Sequence, residues 1–187
     1  CLWLLCEEST WCLPAHLYLQ KQGPGLPDTS APAVDLFAGE TANLLSWALY
    51  LLEPQLAQVS PLVPERLRRE LQNRILTPCL ERSDFWWMTL GSSKHVNNWN
   101  PWCNSNWLTT LLLHEPDPAS RLAAMTKSLR SLQAFIDSYH PDGGCDEGPS
   151  YWSRAAASLF DCLELLYGVS DGAIDLYREP LIAAMGQ

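Results

Sequence analysis

Apolar residues recur at helical spacing along most of this 187-residue chain, and nowhere do Val, Ile and Thr alternate with polar residues as a half-buried strand requires. That periodicity restricts the fold to packed helices. Leu2–Glu8 reads as the tail of one helix, and Lys21–Val34, rich in Gly, Pro and Ser, as a loop. A helix is expected over Leu36–Leu56, with Phe37, Leu44, Leu45, Ala48, Leu51 and Leu52 on its apolar side. Another covers Pro61–Arg82, where Pro64 suits the first turn, Leu67, Leu71, Ile75 and Leu76 form the stripe, and Pro78 kinks or ends the helix. Trp99–Leu113 and Ala119–Tyr139 form a pair; in the second, Leu122, Met125, Leu129, Leu132, Ile136 and Tyr139 face inward while Lys127, Arg130 and Asp137 face outward. Ser150–Tyr167 and Ile174–Met185 complete a third pair. The expectation is an all-α succession of antiparallel helical hairpins whose sequences are too unlike to count as a repeat.

Composition narrows the function. With 47% hydrophobic and only 18% charged residues, the chain can bury the core of one domain. A net charge of −9 provides no basic stripe to displace counterions from phosphates, so nucleic acid is not an expected partner. Nor is a membrane, because no apolar stretch approaches the roughly 18 residues of a spanning helix. The seven cysteines, at 1, 6, 12, 79, 103, 145 and 162, show no CxxC pairing and no His at ligand spacing. Buried free thiols in a reducing compartment are the simpler account, with secretion left open, and no metal or cofactor is expected. Arg66, Arg68, Arg69 and Arg74 read as a solvated helix face. Both ends fall in apolar helical text, Cys1–Cys6 and Leu181–Met185, and read as cuts through a larger fold.

Two segments are too specialised for folding alone. His95–Trp107 holds five asparagines and three tryptophans just ahead of the apolar run Leu108–Leu113. Asn is a poor helix former, and each buried amide needs its donors and acceptors matched. Indole faces among neutral amides suit a sugar-binding groove, in which rings stack on pyranose faces and amides bond hydroxyls and carboxylates. Helix capping with ordinary core tryptophans is the plainer alternative. The second segment is Tyr139–Arg154, whose glycines and prolines force an irregular turn before Ser150 caps a helix carrying Tyr151, Trp152 and Arg154. Tyr151 and Arg154 stand three apart, on one helical face. A nearby cation favours the phenolate of a group whose reference pKa is about 10. The alternative is a half-buried Tyr bonded to a loop carbonyl, with Arg154 paired to Asp146 or Glu147.

Asn97-Asn98-Trp99-Asn100 ahead of one helix, and Glu147-Gly148-Pro149-Ser150-Tyr151-Trp152 opening a later one, resemble the motifs of the heparinase II/III-like polysaccharide lyases in their α/α-toroid domain. The helix start Asp35–Thr41 is similar too, and the resemblance extends over essentially the whole chain. It implies an incomplete (α/α)n toroid, residues 1–187 being a fragment of one catalytic domain. It also implies a C-terminal β-sandwich, as in complete members, that this chain lacks. The implied substrate is an acidic, uronic-acid-containing polysaccharide cleaved by β-elimination.

In that chemistry a proton leaves C5 and the glycosidic oxygen leaves C4. The resemblance implies that the amide of Asn97 or Asn98 neutralises the uronate carboxylate, and that Tyr151 removes the proton, returns it to the leaving oxygen, or both. Arg154 would hold the phenolate or a substrate acid group. Trp99, Asn100, Trp102, Glu147, Trp152 and His16 are the expected substrate contacts. The sequence departs from relatives that carry a His in or beside the asparagine motif, since His95 is near but out of position. The absence of a basic groove argues against a heparin-like substrate in particular. Two other readings stay open. One is a glycoside hydrolase on a similar toroid, pairing Asp142 or Asp146 with Glu8 or Glu40 across about 5–9.5 Å. The other is a non-catalytic carbohydrate-binding domain.

Overall fold

The computed structural model of the chain describes residues 1–90 and 96–186. Among these residues there are eight α-helices and no strand. They are α1 (Leu2–Glu7), α2 (Leu36–Val59), α3 (Leu62–Leu71), α4 (Thr77–Glu81), α5 (Trp99–His114), α6 (Pro118–Ser138), α7 (Pro149–Val169) and α8 (Pro180–Met185). The all-α expectation holds. His95, the histidine nearest the asparagine motif, lies outside the described residues.

Side-chain pairs fix how the helices run. Glu40 meets Trp102, Asn43 meets Asn106 and Ser46 meets Thr110, so α2 and α5 advance in the same direction. Arg154 lies over Trp102 near the start of each helix, and further along Thr109 shares a cleft wall with Glu164 and Leu165, which gives α7 that direction too. Asn100 pairs with Ser131 and Asn104 with Ser128, so α6 returns antiparallel to α5. Arg68 pairs with Glu53, and α3 returns along α2 in the same way. The starts of α2, α5 and α7 therefore gather at one end.

Prolines and glycines set several boundaries. Pro118, Pro149 and Pro180 each begin a helix, where the missing N–H costs nothing. The α7 N-cap is Gly148 at φ +83°, a left-handed conformation that glycine tolerates, and not Ser150 as expected. The helix expected over Pro61–Arg82 is continuous but changes pitch, passing through a π turn at Gln72–Leu76. Pro78 has no N–H, and its ring would press on the carbonyl four residues back; the wider turn directly before it relieves that conflict. The helix expected over Ile174–Met185 begins only at Pro180. Pro180 pushes Glu179 to an extended conformation, and Asp171 and Gly172 take left-handed turns upstream.

Two apolar stripes are rotated from their expected faces. In α2 the buried side is Ala38, Ala42, Leu45 and Leu49, while Phe37, Leu44, Leu51 and Leu52 are exposed. In α6 the inward residues are Ala124, Ser128, Ser131, Leu132 and Phe135, and Leu122 faces solvent. Small residues on the facing helices win these positions because they let backbones approach. Lys127 also turns inward: its ammonium donates to the carbonyls of Cys79 (2.8 Å) and Leu80 (2.9 Å) at the end of α4. It thereby satisfies acceptors that the helix cannot, and burial lowers its pKa. The arginine face is likewise only partly solvated. Arg66 and Arg74 clasp Glu70 at 2.8 and 2.6 Å, donate to the Cys6 carbonyl, and lie over Trp3 and Trp11, fastening α1 to α3.

Asp35 organises the start of α2. Fully buried, it accepts from Ala38 N (2.8 Å), Leu13 N (3.0 Å) and His16 Nδ1 (2.7 Å). Asp35→Ala removes a helix cap together with the partner of Leu13 N and His16 Nδ1, so unfolding in urea should show a loss of about 3 kcal/mol. All seven cysteines are free; Cys6, Cys12, Cys79, Cys103 and Cys162 are buried. Burial pushes Cys79 up to about 12 and raises the other four. A thiol reagent on the folded protein should therefore label only Cys1 and Cys145, and all seven once urea is added.

Candidate functional site

At the end where α2, α5 and α7 begin, two clefts lie side by side. The larger, about 500 Å³, sits between the start of α5 and the loop from Tyr139 to Glu147, with Asn97, Tyr139, His140, Cys145 and Glu147 on its walls. Gly143 anchors that loop. It has φ +79°, and a Cβ there would stand 2.5 Å from the Ala184 backbone, so only glycine lets the loop seat against α8.

Glu147 is the keystone of this cleft. Its carboxylate accepts from the Asn98 backbone N–H (3.1 Å) and from Asn98 Nδ2 (2.8 and 2.9 Å). The Asn98 amide donor is thereby committed to protein. Asn97 differs: its Oδ1 accepts from Trp99 N at 3.1 Å, it lines the cleft, and its Nδ2 has no protein acceptor among the described residues. Asn100, expected to touch sugar, is corrected to a packing residue. It is 1% exposed, and its Nδ2 lies within hydrogen-bond distance of the Trp87 carbonyl (2.9 Å) and of Ser131 (3.0 Å to the carbonyl). The helix periodicity places Asn100 toward α6, where an unpaired amide would be costly.

The second cleft, about 370 Å³, lies along α2, α5 and α7. Trp102 borders it, donating from Nε1 to Glu40 Oε1 at 3.0 Å. Arg154 reaches over the Trp102 ring, 4.4 Å from its centroid, and stands 3.6 Å from Glu40 Oε1. Its anionic neighbour is thus Glu40, not Asp146 or Glu147. Tyr151 and Trp152, in the first turn of α7, are 48% and 39% exposed, and neither lines a cleft wall. The structure therefore brings Asn97, Asn98 and Glu147 together, and Arg154 with Trp102, and leaves Tyr151 exposed outside the walls of both clefts.

His16 belongs to the same end through the start of α2. Its ring packs edge-on against Trp99 at 4.7 Å, and Trp99 in turn meets Trp86 at 5.0 Å. With Nδ1 donating to buried Asp35, Nε2 is left as the free ring nitrogen. Sequence reading found His16 but not its orienting carboxylate, although Asp35 directly precedes the helix as a cap would. It also missed Tyr139 as a cleft residue. Burial, Cys145 and the nearby carboxylates of Asp146 and Glu147 raise the Tyr139 phenol well above its ordinary range, which keeps it neutral.

One group of potential metal ligands stands out among the described residues. Donor atoms of Cys145, Asp146 and Glu147 lie within 4.8 Å of one another. Glu147 already receives three contacts from Asn98, which leaves two uncommitted donors, fewer than the three protein ligands of a catalytic zinc site. No protein-family model matches the chain, and no curated protein matches it.

The two asparagines should separate cleanly on substitution. Asn100→Ala, which orphans buried acceptors, should cost about 2–3 kcal/mol in urea unfolding. Asn97→Ala loses only the bond to Trp99 N and should cost about 0.5–1 kcal/mol.

Proposed function

We propose that the chain is part of the α/α-toroid domain of a polysaccharide lyase that cleaves uronic-acid-containing glycans by β-elimination. The observation that carries this reading is Asn97 on the wall of a 500 Å³ cleft, its amide oxygen held by Trp99 N and its Nδ2 without a protein acceptor among the described residues. A neutral amide there offers a hydrogen bond to a substrate carboxylate without titrating. Charge that builds on that carboxylate as C5 loses its proton would be met by the same donor. The parallel course of α2, α5 and α7 supports a toroid, whose inner helices all run one way. Their gathered N-termini add a favourable field for an anion despite the acidic chain.

In this reading Asn97 is the carboxylate partner, and Asn98 is a positioning residue that holds Glu147 and with it the loop wall. Tyr151, exposed and unbonded to protein among the described residues, takes the C5 proton and hands it to the departing C4 oxygen. The C5–H electron pair becomes the C4–C5 double bond as the C4–O bond breaks, so no oxidant or hydride acceptor is needed. Arg154, stacked on Trp102, supplies the cation beside the reacting unit. His16, Trp99 and Trp152 contact sugar along the rim. The implied β-sandwich, elsewhere in the polypeptide, would close the cleft from the other side.

Incubation with oligomers of mannuronate, guluronate and glucuronate should produce the ultraviolet absorbance of a C4–C5 double bond. Tyr151→Phe should lower that rate by about 10²- to 10⁴-fold without changing stability. Reducing ends formed without the absorbance would point instead to hydrolysis, with Glu40 as the first carboxylate to replace. Binding with neither product would point to a carbohydrate-binding domain.

A further inference from the structure

The cleft along α2, α5 and α7 has features that the elimination chemistry does not use. Trp47, 42% exposed, offers an indole face on its α2 wall, braced edge-on by Tyr50 at 5.9 Å. Asn43 and Asn106 are locked to each other at 2.7 Å, giving the floor a fixed polar geometry. Ser158 on α7 is 8% exposed, lines the cleft, and its hydroxyl has no hydrogen-bond partner among the described residues. That hydroxyl is free to donate to or accept from a ligand in the cleft, as it would with water.

Charge decides which ligand. Glu40, Asp161 and Glu164 line this cleft, and Arg154 is the one cation that does so among the described residues. Glu164 is engaged with the Tyr177 hydroxyl at 2.5 Å, and Arg154 is shared between Glu40 and the Trp102 ring. Asp161, exposed at the cleft, has no cationic partner among the described residues. A uronate or sulfated sugar would bring a further negative charge into a space already holding a surplus. Hydroxyl groups, by contrast, donate to carboxylates and accept from Ser158.

We propose that this cleft is a separate subsite for a sugar residue carrying no anionic group, seated on Trp47 and hydrogen-bonded to Asp161 and Ser158. It rests on the carbohydrate part of the functional reading and not on elimination. Arg154 and Trp102 border the subsite on the side of the α5 and α7 starts, so a bound chain would place an uncharged unit next to the unit facing Asn97 and Tyr151. The substrate class this predicts is a mixed polymer in which uronate and neutral sugars are neighbours, cut in preference to a homopolymer of uronates.

The local probe is the indole N–H resonance of Trp47, assigned by its loss in Trp47→Phe. Cellohexaose, mannohexaose and xylohexaose should be titrated against hexamannuronate, on a Tyr151→Phe background so that nothing is cleaved. At least one neutral hexamer should shift that resonance saturably, while hexamannuronate should need at least about tenfold higher concentration. Trp47→Ala, followed by calorimetry, should weaken the neutral hexamer about tenfold. Asp161→Asn combined with Glu164→Gln should narrow the gap between neutral and acidic hexamers, with unchanged spectral dispersion reporting an intact fold. The proposal is overturned if hexamannuronate shifts Trp47 as readily as the neutral chains, if no neutral hexamer shifts it, or if the double substitution leaves the gap in place. A protein that passes these tests yet yields no unsaturated product would retain the subsite and lose the lyase assignment.

Discussion

The buried amides of α5 are the constraint on which the rest of the molecule depends. Asn100 and Asn104 sit in the interior with Ser128 and Ser131 as partners, so α6 can pack on α5 in only one register. A slip along the helix would strand polar groups away from water, at a cost comparable to a good part of a small domain's stability. On the opposite side, Asn106 and Thr110 impose register on α2 through Asn43 and Ser46. An apolar seam would hold the same helices together while permitting sliding. The polar seam forbids it, and the positions of Asn97, Asn98 and Trp99 at the head of α5 follow from that.

The same seam explains a division of labour within one short motif. Four successive residues, Asn97 to Asn100, lead through the N-cap into the first turn of α5 and point in different directions. One amide opens to a cleft, the next holds a loop carboxylate, an indole packs against His16, and the last closes the core. A sugar-binding interpretation of the whole string was therefore too generous. Residue types announce that polar contacts matter, while the local backbone direction decides which of them face a cleft.

Much of the fold was legible because the signals were local. Helix existence followed from spacing, and Leu67, Leu71, Ile75 and Leu76 are buried as their stripe required. What misled was the assumption that the largest apolar residues define the inner face. On α2, close approach to α5 selects Ala38, Gly39 and Ala42, and a Cβ on Gly39 would stand 3.2 Å from the Asn106 Cβ. Leu44, Leu51 and Leu52 are displaced outward as a result. The candidate site was legible only in part. Motif text pointed to Asn97 and Glu147, which the fold brings to one cleft, but the Asp35–His16 pair and the acidic cleft beside Trp47 join residues far apart in sequence. No local pattern encodes such meetings.

The π turn at Gln72–Leu76 carries a consequence for the evolution of this scaffold. A π turn accommodates one residue more than the α-helix it interrupts, so the helix from Leu62 to Glu81 behaves as if it had absorbed a single insertion. Deleting one residue there would restore regular hydrogen bonding, yet it would rotate everything downstream by about 100°. Cys79 would leave the core, and the carbonyls of Cys79 and Leu80 would swing away from Lys127. The local irregularity is thus retained by remote packing, and indels in this stretch should be far less tolerated than those in the surface loop before α2.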